Sequence, residues 1–414
     1  MTSKLREGFT TGSAATGAAL AALQLLRMGC APAEVHVPLP PFDAEPQGRD
    51  SNIFTPRGWL QLPVANCAPG PAPELVAAWN AGTSARSDPP PQGIIRAAHA
   101  SIIKDGGDDP DATSGARITA TVVEHVAAQQ HADLADLGSI IIKGGPGVGR
   151  VTLPGLPVPV GQAAVNPVPR QQITLALQAW ERQRGNVPNG AQAGTQEGHT
   201  ALTVFVSVPE GAQLAQKTFN PRLGIEGGIS ILGTQGTVRP FSHAAWKATI
   251  EQGLSVAAAT GCRSICLTTG RRSERLLMER NPLLPARCFV QVADFAKFSL
   301  HAAGLLGFER IVWGCFFGKL VKLAQGHAYT HAQNATLDMQ ALAQMARAAN
   351  ATSAEAVGRC ITAAHALELL LADKAGPRVL EQVARQAVRT AQNFAGCPVS
   401  LHLFHTDGRE LLAL

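Results

Sequence analysis

Arg263–Arg272 reads RSICLTTGRR. A short apolar run ends in a Thr-Thr-Gly turn, and a polar, helix-favouring segment follows to about Arg280. The same rhythm recurs twice downstream. Cys288–Val292 leads into a helix over Asp294–Leu306, and Arg310–Gly314 leads through Gly318-Lys319 into a helix ending near Ala324. Strands alternating with helices point to parallel βαβ units, because parallel neighbours need a crossover rather than a tight hairpin. Ser242–Ala258 upstream reads as a helix. Two or three long helices from Leu337 to Asn393 and a last strand, Val399–Phe404, complete this half.

The first half has a different rhythm. Thr10-Thr11-Gly12-Ser13 supplies helix N-cap candidates, Ala14–Arg27 is rich in helix formers, and Gly29 is a plausible stop. Lys4, Arg6 and the apolar run to Leu26 have the outline of a leader peptide. Thr16 and Gly17 interrupt that run, which favours a buried helix instead. Pro38–Gly58 and Asn80–Gly93 are rich in Pro, Gly, Asp and Ser and read as irregular surface excursions. Trp59–Val64, Ile94–Lys104, Ala116–Val126, Ser139–Lys143 and Ala201–Val208 read as strands. A helix opens at Asn166-Pro167, where proline suits the first turn, and runs to about Gln183. Arg184–His199 is a polar stretch. Phe219–Phe241 is glycine-dense and reads as a junction. The expected layout is an α+β first domain over 1–215, then an α/β second domain over 216–414 with a mainly parallel sheet and a helical C-terminal part.

Composition narrows the function. A chain of 414 residues is long for one domain. The net charge of +5 is mild, no Lys/Arg block is present, and tyrosine occurs once, at Tyr329. That argues against a nucleic-acid binder, which needs exposed rings and a concentrated positive face. It suits a small polyanionic ligand. The eight cysteines include no CxxC pair. Cys262 and Cys266, read as lying on one strand, would stand about 13 Å apart, too far to share a metal. They read as reduced thiols packed as small apolar groups, which implies a cytoplasmic location. No apolar run is long enough to cross a bilayer.

Three turns end strands where α/β proteins bind ligands: Thr268–Arg272, Val292–Asp294 and Trp313–Lys319. Helix N-termini there attract anions, and an acid such as Asp294 can accept ribose hydroxyls. Gly314–Lys319 is one residue short of a phosphate-binding loop, and Leu320 stands where a magnesium-holding Ser/Thr would be needed. No GxGxxG turn is present. The loop Lys104–Asp111, KDGGDDPD, crowds Asp105, Asp108, Asp109 and Asp111 around Gly106-Gly107. Like charges so close must be solvated or paired. A solvated turn with Asx-type bonds fits, and so does a rigid polar turn that orients a substrate. The spacing is not that of an EF-hand. Basic residues recur beside glycine turns: Lys143, Arg150, Arg170, Arg222, Arg239, Arg271, Arg272, Lys319 and Lys322. Such a set fits a polycarboxylate ligand. His327 and His331 flank Tyr329 without a third ligand at metal spacing, so no metal is assigned.

Several strings together resemble the CbiD family, the cobalt-precorrin-5B C(1)-methyltransferases of anaerobic cobalamin biosynthesis. They are Gly8–Ser13, KDGGDDPD with Thr113 and Gly115, Gly144–Arg150, Ala164–Arg170 and FNPRLGIEGGISILGTQGTVRP at Phe219–Pro240. Thr269-Gly270-Arg271, Asp294-Phe295, Gly318–Lys322 and Thr330-His331 complete the set, all in the family's order. The chain departs from the family at Ala293, where glycine is usual, at Lys297, at Cys315-Phe316-Phe317 and at Thr336.

The resemblance implies S-adenosylmethionine as methyl donor and carbon 1 of cobalt-precorrin-5B as acceptor, with cobalt-precorrin-6A as product. On the turns and loops read above, Gly228, Gly233, Gly236, Thr269, Gly270, Asp294 and Gly318 are expected to hold the cofactor. Lys104, Asp111, Arg150, Arg170, Arg222, Arg239, Arg271, Lys319 and His331 are expected to meet the tetrapyrrole, and Asp105, Asp108 and Asp109 are the candidates for catalysis, the choice among them staying open. No nucleic-acid or membrane partner is expected; a homodimer and transient contacts with other enzymes of the corrin pathway stay open. Two rival readings stand beside it, a phosphoryl-transfer enzyme using the glycine turns and a non-catalytic tetrapyrrole carrier.

Overall fold

The computed structural model describes residues 5–44, 54–82, 87–126, 140–184 and 200–414. It is a mixed α/β protein that divides into two compact units, Met1–Leu153 with Pro157–Ser242, and Pro154–Leu156 with His243–Leu414.

The elements of the first unit, in chain order, are β1 (Gly8–Phe9), α1 (Thr11–Met28), β2 (Glu34–Ala44), β3 (Phe54–Pro63), β4 (Asn66–Pro69), α2 (Pro73–Asn80), β5 (Ile94–Ile103) and β6 (Arg117–Val126). Then come β7 (Ile140–Gly144), β8 (Arg150–Val151), α3 (Pro167–Gln183), β9 (Thr200–Ser207), α4 (Gly211–Ala215), β10 (Ile225–Glu226) and β11 (Thr237–Val238). The main sheet has the order β4-β5-β6-β9-β7 and is antiparallel except for the parallel β7–β9 pair. Period-2 alternation sends Ala98, Ala100, Ile102, Ile118, Ala120 and Val122 to one face, where α1 covers them, and α3 packs on α1 in the same core through Ile173 and Leu177. Leu75 of α2 covers Val123 and Phe205 on the other face.

Helix α1 is buried along most of its length, which explains its alanine and glycine content. Thr10 caps its start by accepting from the Ser13 N–H at 3.2 Å, and Gly29 ends it at φ 71°. Its last turn is tied down by charge. Arg27 donates to Glu124 at 2.6 Å and to Glu181 at 2.8 Å, and Arg96 donates to Glu124 at 2.5 Å.

Two expectations change here. Pro38–Gly58, read as irregular, largely forms the β2–β3 hairpin, with a register shift between Leu39 and Phe42 around Pro40-Pro41; residues 45–53 lie outside the described residues. Prolines are tolerated because β2 pairs on one edge only. The glycine-dense run, read as the junction, belongs to the first unit. β10 pairs with β8 and β11 with β1. The Leu232 carbonyl accepts from the Gly12 N–H at 3.0 Å, and the Gly236 carbonyl accepts from the Thr10 N–H at 3.0 Å and from Ser13 Oγ at 2.8 Å. These bonds put the division at Ser242/His243, beyond the expected 215/216. The polar stretch 185–199 lies outside the described residues.

The second unit holds α5 (His243–Ala259), β12 (Ser264–Thr268), α6 (Arg271–Arg280), β13 (Phe289–Gln291), α7 (Ala296–Leu305), β14 (Arg310–Phe316) and α8 (Phe317–Ala324). Helices α9 (Met339–Ala348), α10 (Ala354–Gly358), α11 (Ala363–Leu371) and α12 (Gly376–Ala395) precede β15 (Val399–Phe404) and β16 (Glu410–Ala413). The sheet order is β13-β12-β14-β15-β16, parallel except for the β16 edge, a strand not read from the sequence. Ile265, Leu267, Ile311, Trp313, Leu401 and Leu403 face a large core completed by α5, α7, α8 and α12. Cys266, Val312 and Phe404 face the other way, under Leu276 and Leu277 of α6.

Candidate functional site

The strand order of the second unit fixes where a ligand fits. From β12 the chain moves outward to β13, and from β14 it moves the opposite way to β15. The connections therefore part between the carboxyl ends of β12 and β14. In open α/β sheets such a switch point is the crevice that binds ligands. Thr269 and Gly270 lie on one side of it, Phe317 and Gly318 on the other.

This crevice is lined by backbone with room beside it. A side chain built on Gly270 would meet no atom within 4 Å, and one on Gly318 would make only an ordinary 3.5 Å contact with Ala363. Neither residue has a left-handed backbone. Glycine here leaves space that the fold itself does not use. Arg271 opens α6, is exposed, and has no partner among the described residues. The first N–H groups of a helix favour an anion, and so does a free guanidinium. Thr269 Oγ1 lies 3.4 Å from Ser273 Oγ.

Beside the crevice, Asp294 follows β13. Its Oδ1 pairs with Lys319 and accepts from Thr330 Oγ1 at 3.1 Å. Its Oδ2 has no partner among the described residues. Lys322 Nζ donates to the Thr330 carbonyl at 2.9 Å. Burial, with the charge of Lys319, pulls the Lys322 ammonium below the usual lysine range against the opposing pull of Asp294. Ala293, just before, takes φ 48°, a left-handed backbone that glycine adopts without cost.

The acidic loop of the first unit is the opposite kind of site. Lys104 is 2% exposed and pairs with Asp111, whose Oδ1 accepts from Thr113 N at 2.7 Å and Thr113 Oγ1 at 2.6 Å. Asp105 forms a two-pronged pair with Arg6 and accepts from Gly107 N at 2.9 Å. Asp108 accepts from Arg6 N at 2.6 Å, and Asp109 accepts from Phe241 N at 3.0 Å. Each carboxylate thus staples the loop to itself, to the Arg6–Phe9 segment or to Phe241. Arg6 donation holds the Asp105 carboxyl below the usual range. Burial works against ionising Asp111, but Lys104 and Thr113 outweigh it and its pKa is lowered too. Gly8 and Gly107 lie so close that a Cβ on either would sit 2.3 Å from a backbone oxygen of the other strand of this staple.

The predicted basic residues separate in the same way. Arg170 donates to three main-chain carbonyls, of Val165 at 2.8 Å, Ile142 at 3.0 Å and Ala163 at 3.3 Å, and burial lowers its pKa. Arg150 pairs with Asp88 at 2.8 Å. Arg222 lies over the Phe219 ring at 5.9 Å, and Arg239 approaches Glu7 at 3.3 Å. His331 stacks on Tyr329 with ring centroids 6.0 Å apart. Gly228, Gly233 and Gly236 belong to the first unit. A Cβ on them would meet the Gly147 carbonyl oxygen at 2.0 Å, Thr10 Oγ1 at 2.3 Å and Leu39 Cδ2 at 2.4 Å. Close packing therefore accounts for these three. The pairing of Arg6 with the acidic loop was not legible in the sequence; nothing local marks a pairing across about a hundred residues.

Cys266, Cys288, Cys315 and Cys360 are buried and pack as small groups, whereas Cys30 is exposed. Burial pushes Cys266, Cys288 and Cys315 up to about 12. Cys262 precedes β12 rather than lying on it, and its sulfur is 2.7 Å from that of Cys288.

Residues 1–47 and 93–240 match the family described as CbiD, and residues 329–413 match the CbiD C-terminal domain. A cobalt-precorrin-5B C(1)-methyltransferase of Nitratidesulfovibrio vulgaris is 46% identical over 413 residues, 98% of this chain and 92% of that protein. The chain belongs to the CbiD family. Another member, the cobalt-precorrin-5B C(1)-methyltransferase of Geobacillus kaustophilus, is 38% identical over 412 residues, 98% of this chain and 94% of that protein. A crystal structure of a cobalamin biosynthesis protein from Archaeoglobus fulgidus shares 24% identity at a TM-score of 0.33 over 76% of this chain and 78% of that one, a likeness too slight to argue from. The CbiD match over 93–240 takes in the acidic loop and the glycine-dense run, whereas β12 to α8 fall between the matched segments.

Proposed function

We propose that the chain transfers the methyl group of S-adenosylmethionine to carbon 1 of cobalt-precorrin-5B, giving cobalt-precorrin-6A. The family membership and its relatives' named activity support the reaction. The observation that carries the cofactor half is the open switch-point crevice, where Gly270 and Gly318 leave room that packing does not require. When bound there, S-adenosylmethionine supplies an electrophilic methyl group on a sulfonium that leaves as a neutral thioether.

The chain's own groups bind and orient. Gly270 and Gly318 let a ligand approach the main chain. Arg271 and the first turn of α6 hold a carboxylate. Asp294, steadied by Lys319 and Thr330, offers its free Oδ2 to ribose hydroxyls. Aligning two reactants can supply about 7–11 kcal/mol of a displacement barrier, so no strong acid or base is needed. In the first unit, Asp108 is, taken as a whole residue, the most exposed carboxylate of the acidic loop, and we assign it to the macrocycle. Asp105, Asp109 and Asp111 position it through the bonds described above. The glycines Gly228, Gly233 and Gly236 act on the cofactor, in this reading, only through the fold. The buried, protonated thiols accord with a reducing, cytoplasmic setting.

The deciding experiment incubates the purified chain with labelled S-adenosylmethionine and cobalt-precorrin-5B and follows the product by mass. Label at carbon 1 is expected. Its absence under conditions where a relative is active overturns the reading. Wild-type turnover by the Asp108→Ala, Asp109→Ala double variant overturns the loop assignment alone.

A further inference from the structure

One cavity of the second unit lies outside every assignment above. His243 and Lys247 of α5, Phe295, Lys297, Phe298 and His301 around the start of α7, and Ala328-Tyr329 line a groove of about 510 Å³. That is the size range of small-molecule sites. Among the described residues, no carboxylate lines it. Asp294, next to Phe295 in sequence, is paired with Lys319.

Its wall is built from rings in mutual contact. The His243, Phe295 and Tyr329 centroids lie 5.0–5.3 Å apart, and Tyr329 Oη is 3.1 Å from His243 Nε2. Phe295 is buried and fixed, while His243, Lys247, Lys297 and His301 are exposed at the rim. The Lys247 ammonium lies 5.1 Å from the Phe298 ring centre. Lysines scattered over a solvated surface need no such aromatic floor. Flat apolar walls with a cationic rim, and no acid among them, match a flat conjugated ligand bearing several carboxylates.

We propose that this groove binds the periphery of the tetrapyrrole, with rings stacking on the macrocycle edge and Lys247, Lys297 and His301 meeting its acetate and propionate groups. This rests on the tetrapyrrole reading above and adds a substrate site to the second unit. Lys247 and His301 are exposed, so replacing them leaves the core untouched.

The test uses the full chain and uroporphyrin, a stable tetrapyrrole with eight carboxylates, titrated by fluorescence. The Lys247→Glu, His301→Ala double variant is expected to bind it at least about tenfold more weakly. Lys247→Arg should keep the wild-type affinity, and S-adenosylmethionine binding by calorimetry should stay within about twofold in every variant. Equal uroporphyrin affinity in wild type and double variant, or no saturable binding to wild type, overturns the proposal. A matching loss of S-adenosylmethionine affinity also overturns it and makes the groove part of the cofactor site. Methyl transfer to cobalt-precorrin-5B by the wild type is measured separately, so failure of the functional reading is not confused with failure of the groove.

Discussion

The acidic loop of the first unit and the strand-end turns of the second unit are alike in sequence, since both set glycines beside charged residues. Their structures differ in one physical respect. In the acidic loop the carboxylates are hydrogen-bonded and Gly106 and Gly107 are crowded. In the second unit, Gly270 has open space, Arg271 has no partner among the described residues, and Asp294 keeps one oxygen free. A satisfied, crowded motif sustains a fold. An unsatisfied, roomy one at a switch point is where a ligand can be bound.

Matched glycine substitutions break that comparison most sharply. Gly147 takes φ 75°, and a Cβ on it would sit 1.7 Å from the Val208 carbonyl oxygen. Gly147→Ala is expected to cost at least about 3 kcal/mol and lower the melting temperature by roughly 10 °C. Gly270→Ala meets nothing and should change stability by no more than about 1 kcal/mol, mostly through the weaker N-cap. It should nevertheless weaken S-adenosylmethionine binding about tenfold, measured by calorimetry. A large loss of stability in Gly270→Ala would make the two turns the same kind of feature.

Next in size is the buried pair in the acidic loop. Lys104→Met keeps the aliphatic stem but strands Asp111 without its cation. A loss of about 2–4 kcal/mol is expected at pH 7, softened because Asp111 is one-fifth exposed and partly solvated. The pH dependence sharpens this. The Asp111 carboxyl is depressed in the folded protein, so its stabilisation is complete above the unfolded value of about 3.9 and is lost as pH falls through the folded value. The gap between wild type and Lys104→Met in urea unfolding should therefore be constant from pH 8 to about 5 and close below about 4. A gap that persists in acid would mean that packing, not charge, holds the loop.

Local patterns carried much of the fold. Alternation placed β6, apolar strand-forming runs placed β5 and β9, the strand-turn-helix rhythm placed the parallel strands, and the Thr10 and Gly29 caps and the Asn166-Pro167 start bounded α1 and α3 well. The errors came where tertiary pairing overrides composition. Prolines in β2 looked irregular until a single partner strand accommodated them. The glycine run looked like a linker because its partners β1, β8 and the start of α1 are far away in sequence. For the same reason the pairing of the loop's carboxylates was not legible, since Arg6 and Phe241 are remote in sequence. The groove residues His243, Lys247, Phe298 and His301 had no motif at all; α5 and α7 bring them together only after packing.

The smallest expected effect lies at the border of the roomy region. Ala293 adopts φ 48°, which costs an L-residue about 1–2 kcal/mol relative to glycine. Ala293→Gly removes that cost but loosens the unfolded chain by about 0.4–1 kcal/mol. The net gain should lie between zero and about 1.6 kcal/mol, a rise of at most roughly 5 °C in melting temperature. Because the turn already has its shape, the affinity for S-adenosylmethionine should not change. A gain in affinity without a gain in stability would mean instead that the Ala293 methyl group crowds the ligand that Asp294 faces.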